Sequence, residues 1–147
     1  YAEMPVEPAK RPMLLALAGQ SFEAALAVFD VAQHPLHHAE IRANYGNALL
    51  RCPESQLRDP AARAVAELRT ALALYEAHAA TGPQALVRLN LLEALWQLGF
   101  RDDAEGAARL AELEAVHAGL AALPVPASLH GDVERWRARL DAAHGAR

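Results

Sequence analysis

Cysteine is nearly absent from this chain. Cys52 stands alone, so no internal disulfide can form and the redox compartment stays open, with the cytoplasm favoured. Lysine is as scarce: Lys10 is the only one, and arginine supplies the remaining basic charge. Aromatic residues make up 5% of the sequence and runs of β-branched residues are few, which argues against a sheet. No apolar run approaches the roughly 20 residues that a membrane-spanning helix requires. The formal net charge of -4 leaves no concentrated basic face for a nucleic acid. Catalytic signatures are missing too, with neither a glycine-rich phosphate loop nor a G-x-S-x-G turn, and Cys52 has no histidine or carboxylate at a spacing that marks a nucleophile. The sequence therefore predicts neither an enzyme nor a bound cofactor.

Seven histidines are present, and His34, His37 and His38 precede Glu40. Ligands on a helix need a spacing of three or four with a carboxylate on the same face. His34 and His37 straddle Pro35, and His78, His117, His130 and His144 are scattered, so no metal site is expected.

What the chain does have is alanine and leucine, within a hydrophobic content of 53% over 147 residues. These are strong helix formers, and the length suits one domain with a real core. Residues 1–11, with Pro5 and Pro8 just ahead of Pro12, read as an extended arm or linker, and residues 12–147 as a single all-α domain. The start at Tyr1, without methionine or leader, suggests a piece of a larger protein. Seven helices are predicted, near 12–18, 21–34, 36–51, 59–80, 83–98, 103–123 and 126–143. Pro12, Ser21, Asp59-Pro60 and Asp102 or Asp103 are the expected starts; His34-Pro35, Cys52-Pro53, Thr81-Gly82-Pro83, Gly99 and Pro124 are the expected breaks.

Within these helices a pattern recurs. Arg88, Leu91, Leu92 and Leu95 are followed by Ala104, Ala108 and Ala111, with Gly99 in the turn between them. Arg42, Tyr45, Gly46 and Leu49 repeat the first half, with Ala64, Leu68 and Ala71 as the second, and Ala25, Phe29 and Ala32 form a further partial copy. The spacing resembles the tetratricopeptide repeat, W-x2-L-G-x2-Y followed by A-x3-F and a proline over roughly 34 residues. The resemblance spans Ser21 to Val116. Arginine stands for tryptophan in both later copies, Val116 stands for the closing proline, and 46 residues separate Gly46 from Leu92.

The resemblance implies a right-handed stack of antiparallel helix hairpins, about three pairs plus a C-terminal capping helix. Two pairings of the seven helices are possible, and the motif phase favours first with second, third with fourth and fifth with sixth. The last helix would be the cap, with Val133, Trp136 and Leu140 facing the core. Such stacks hold another polypeptide in a concave groove lined by the first helix of each pair. The implied groove residues are Glu40, Asn44, Asn47 and Arg51 on one helix and Asn90, Glu93, Trp96 and Gln97 on the other. Asn44 and Asn90 share a repeat position, and an amide there offers donor and acceptor to a peptide backbone. Arg51 would add a two-pronged contact to a carboxylate, although lysine beyond Lys10 is missing, so a full carboxylate clamp is not expected. Singly, such residues usually make a solvated face; their common face carries the expectation. The predicted role is a protein- or peptide-binding scaffold. The alternatives are a homo-oligomerisation module using Leu120, Leu123 and Leu129, or a small-ligand sensor domain.

Overall fold

The computed structural model describes residues 11–51, 58–99 and 103–145, with side chains from Gly19 onward in the first helix and from Pro60 onward in the third. The expected arm lies almost wholly outside the described residues, as do Cys52 and Asp102. The described chain is all-helical, without a strand: α1 (Arg11–Val28), α2 (Pro35–Leu50), α3 (Arg58–Ala77), α4 (Gln84–Gln97), α5 (Ala104–Ala118) and α6 (His130–Gly145). Short 3₁₀ turns at Gly119–Ala122 and Ala127–Leu129 bridge α5 to α6. No described helix is long and apolar enough to cross a membrane.

Among the described residues six helices stand where seven are predicted, because α1 runs unbroken through Gly19, Gln20 and Ser21. A helical glycine costs only about 1 kcal/mol, and here packing outweighs it. Gly19, Phe22 and Leu26 lie on one face toward α2, Phe22 stacks on Tyr45 at 4.9 Å between ring centroids, and a Cβ at Gly19 would meet the Tyr45 hydroxyl at 3.0 Å. Ser21 is thus an exposed residue inside a helix rather than its cap. The helix stops at Val28, earlier than predicted, where Asp30 accepts the Gln33 N–H at 2.8 Å and organises the turn into α2. Phe29 and Ala32 therefore share no helix face with Ala25.

Each helix packs on its successor, and α2 also touches α4, and α4 touches α6. The helix α3 buries Ala61, Ala64, Leu68, Ala71, Leu72 and Tyr75, a stripe with the period of one helix face. Gly46 of α2 meets Leu68 of α3 so closely that a Cβ on Gly46 would stand 2.7 Å from Leu68 Cγ. Opposite-order contacts make α2 and α3 antiparallel: Glu40 lies near Tyr75, whereas the Arg63 guanidinium covers the Tyr45 ring at 5.5 Å.

Helix α3 ends in a left-handed residue, Ala79 (φ 51°). The Ala80 N–H donates to Tyr75 O at 2.9 Å and the Ala79 N–H to Glu76 O at 3.2 Å, the paired bonds that close a helix C-terminus. Gly99 (φ 70°) ends α4 where the sequence places its stop. Asp103 caps α5, accepting the Gly106 N–H at 3.0 Å.

The alanine pattern misplaces the buried face of α5. Ala104, Ala108 and Ala111 are exposed, and Gly106, Leu110, Leu113 and Val116 face the core. Larger apolar side chains gain more from burial, at about 25 cal/mol per Å2, so the leucines set the rotation of the helix. In α6, Trp136 and Leu140 are buried and Val133 half-buried, as the capping pattern expects. Trp136 packs edge-on against Trp96 at 5.6 Å, beneath the Arg139 guanidinium.

An ion cluster fastens α6 to α5. Arg137 donates to both Glu114 carboxylate oxygens (2.9 and 2.6 Å), and His144 Nε2 lies 2.7 Å from one of them. Hydrogen bonding from Arg137, and secondarily from His144, holds the Glu114 carboxyl down at about 2. An ordinary glutamate titrates near 4.5. The folded state therefore keeps a charge that the unfolded chain loses on acidification, so this contribution is complete above pH 4.5 and disappears as pH falls toward 2. Tryptophan fluorescence over that window should report α6 loosening, and Glu114→Gln should flatten the acid-side change. A wild-type profile identical to that of the variant would show that the cluster contributes nothing.

Candidate functional site

Helix α4 is surrounded. Ala85, Val87, Leu89, Leu91, Leu92 and Leu95 are all buried, and the remaining stripe, Leu86, Asn90, Glu93 and Gln97, is only partly covered. Residues four, seven and eleven apart share a helix face. The matching stripe on α2 holds Leu36, Glu40, Asn44 and Asn47. Between the two stripes lies a hollow of about 640 Å3. Tyr75 and Ala80, at the end of α3, contribute to its wall, and Pro126 and Leu129, from the turn before α6, contribute the far side.

The lining is mainly apolar, and its asparagines are unengaged. Among the described residues, Asn44, Asn47 and Asn90 make no side-chain hydrogen bond within the chain, and each reaches the hollow. Leu36 is 44% exposed and Leu86 52%, one on each bordering helix. These are large apolar surfaces left to water beside amides with open donors and acceptors. Burial, and secondarily the charge of Glu40, pushes the Tyr75 hydroxyl above its ordinary value, so it presents O–H rather than an anion.

A buried polar relay holds α2 in place behind this surface. Glu67, with its side chain 2% exposed, accepts from Arg42 Nη1 at 3.1 and 2.8 Å and from Arg63 Nε at 2.8 Å. Arg42 Nε donates to His38 Nε2 at 3.1 Å, so the His38 proton sits on Nδ1, where it donates to the Phe29 carbonyl at 3.0 Å. Arg63 Nη2 continues the relay to Glu23 of α1 at 3.0 Å. Arg42 and Arg63 are thus both engaged by Glu67. Arg88 turns inward, donating to Val116 O at 3.0 Å and pairing with Glu76 at 3.4 Å.

Of the eight residues that the sequence proposes for a groove, the structure brings Glu40, Asn44, Asn47 and Asn90 together around this hollow. The other four lie elsewhere. Glu93, Trp96 and Gln97 continue the α4 stripe to where α6 meets it: Arg139 lies 3.7 Å from Glu93 and over the Trp96 ring, and Gln97 donates to Glu93 at 3.3 Å. Arg51 is exposed at the end of α2, beyond the lining. Sequence reading misses the leucines at the rim, although the i, i+4, i+7 spacing of Leu86, Asn90 and Glu93 contains that signal. Tyr75 and the Pro126–Leu129 wall come from distant sequence and carry none.

The histidines at the α1–α2 corner serve packing. His37 stacks on Phe29 at 5.3 Å, His34 meets the same ring edge-on at 5.5 Å, and His38 is held in the relay. No group of three metal-binding side chains gathers among the described residues. Of the leucines proposed for self-association, Leu120 is buried and Leu123 and Leu129 are half-buried against the core, Leu129 also lining the hollow. No protein family, characterised protein or solved structure matches the chain.

Proposed function

We propose that this chain is a tetratricopeptide-like binding module, without catalysis, that holds an extended segment of another protein in the hollow between α2 and α4. One observation carries the reading: three asparagine amides with unused donors and acceptors line an apolar trough. An extended backbone presents alternating N–H and C=O groups, and asparagine can answer both regardless of the ligand's side chains. Leu36 and Leu86 supply surface for apolar side chains between those contacts. The volume would also admit a small apolar ligand of the usual size. The exposed rim of Leu36, Glu40, Asn44 and Leu86 favours the longer ligand, which can leave at either end.

The reading is tested by selecting random displayed peptides on the immobilised protein and mapping a binder by amide chemical shifts. Perturbations are expected at Glu40, Asn44, Asn47, Leu86 and Asn90. A binder that shifts only α5 and α6 would remove the hollow as the site.

A further inference from the structure

Resting on that reading, we infer that the hollow selects a segment carrying a lysine or arginine beside an apolar anchor, and that it is not a clamp for a carboxyl terminus. The charge around it has one sign. Among the described lining residues, Glu40 is the only aspartate, glutamate, lysine or arginine. Among the described arginines, Arg42 and Arg63 are committed to Glu67 and Arg88 to Val116 O and Glu76, and Arg51 lies outside the lining. A terminal or side-chain carboxylate placed here would lose water and gain no cation in return, beside a carboxylate that repels it.

A cationic ligand meets the opposite situation. Glu40 is exposed on α2, and among the described residues its carboxylate makes no ion pair within the chain, so pairing with a ligand breaks nothing. Its neighbour Tyr75 keeps its proton and stays neutral. The two leucines flank this carboxylate, Leu36 one helical turn before it and Leu86 across the hollow. An aliphatic stem ending in a cation fits that juxtaposition, with its methylenes on leucine and its head on Glu40. The overall net charge of -4 draws the same class of partner.

The test uses a random peptide library displayed on phage, panned on the full chain and on Glu40→Lys in parallel. The wild-type pool should be enriched in lysine or arginine next to leucine, isoleucine or phenylalanine, and the Glu40→Lys pool in aspartate or glutamate. A synthetic wild-type binder should lose about tenfold in affinity on Glu40→Lys and about threefold on Glu40→Gln. Circular dichroism controls for folding. Binders that lose affinity on Leu86→Glu yet ignore Glu40→Lys would overturn this inference while leaving the hollow as the binding site. Enrichment of acidic carboxyl termini would overturn it as well. Binders indifferent to Leu86→Glu and to Glu40→Lys alike, or no enrichment at all, would take the proposed function down with it. A dimer in light scattering that Leu86→Glu dissolves would assign the hollow to a second copy and overturn the inference.

Discussion

Replacing Glu67 with alanine should destabilise the fold by about 3–5 kcal/mol, the usual cost of removing one partner of a buried ion pair. Two guanidiniums converge on this carboxylate, and only 2% of its side chain reaches water. Without it, Arg42 loses its carboxylate partner and Arg63 keeps only Glu23, so the link from α3 to α2 loosens. Thermal denaturation should show the midpoint falling by roughly 10 °C or more. Glu67→Gln keeps the shape and part of the hydrogen bonding, so it should fall between. Replacing the Arg42–Glu67 pair together, with Glu67→Leu and Arg42→Met, should recover part of the loss, because paired charges in a core scarcely outperform good apolar packing. A loss below about 1 kcal/mol for Glu67→Ala would mean that the relay is ornamental to stability.

Gly46→Leu should cost about 3 kcal/mol, near the upper end of the usual range for overpacking. A single added carbon would already sit 2.7 Å from Leu68 Cγ, and Leu68 has nowhere to go because it is fully buried. The helices must part. Since Tyr75 of α3 and Asn44 and Asn47 of α2 all line the hollow, parting them also opens its wall. Gly46→Ala gains about 1 kcal/mol of helix propensity and so should lose less. Adding Leu68→Ala to Gly46→Leu should restore a good part of the stability, a coupling that equilibrium denaturation of the single and double variants measures. Strict additivity would show that the two residues do not meet.

Much of this contact was legible in the chain. Gly46, Ala64, Leu68 and Ala71 belong to one recurring spacing, and all four are buried. The same spacing fails in α5, where alanine fits a buried position and an exposed one equally well and leucine decides. It fails at Gly19 for a related reason: a glycine in a helical run reads as a stop until its neighbour, Tyr45, is known. The polar stripe on α2 and α4 was readable as far as Asn90. Its continuation through Glu93 and Gln97 looked alike in sequence, but where α6 meets α4 is a tertiary fact. Glu67 gave no signal at all, because a glutamate four residues from an arginine on a helix ordinarily marks a solvated face. Only the arrival of Arg42 from α2 makes it a buried junction.

The most direct measurement is titration calorimetry of a selected peptide against the wild type and the Asn44→Ala/Asn90→Ala double variant. Each asparagine can make two neutral hydrogen bonds to a ligand backbone, so the pair should account for about 2–3 kcal/mol, a weakening of about thirty- to 150-fold, with helix content unchanged. Equal affinity in the two proteins would contradict the claim that these amides hold the ligand.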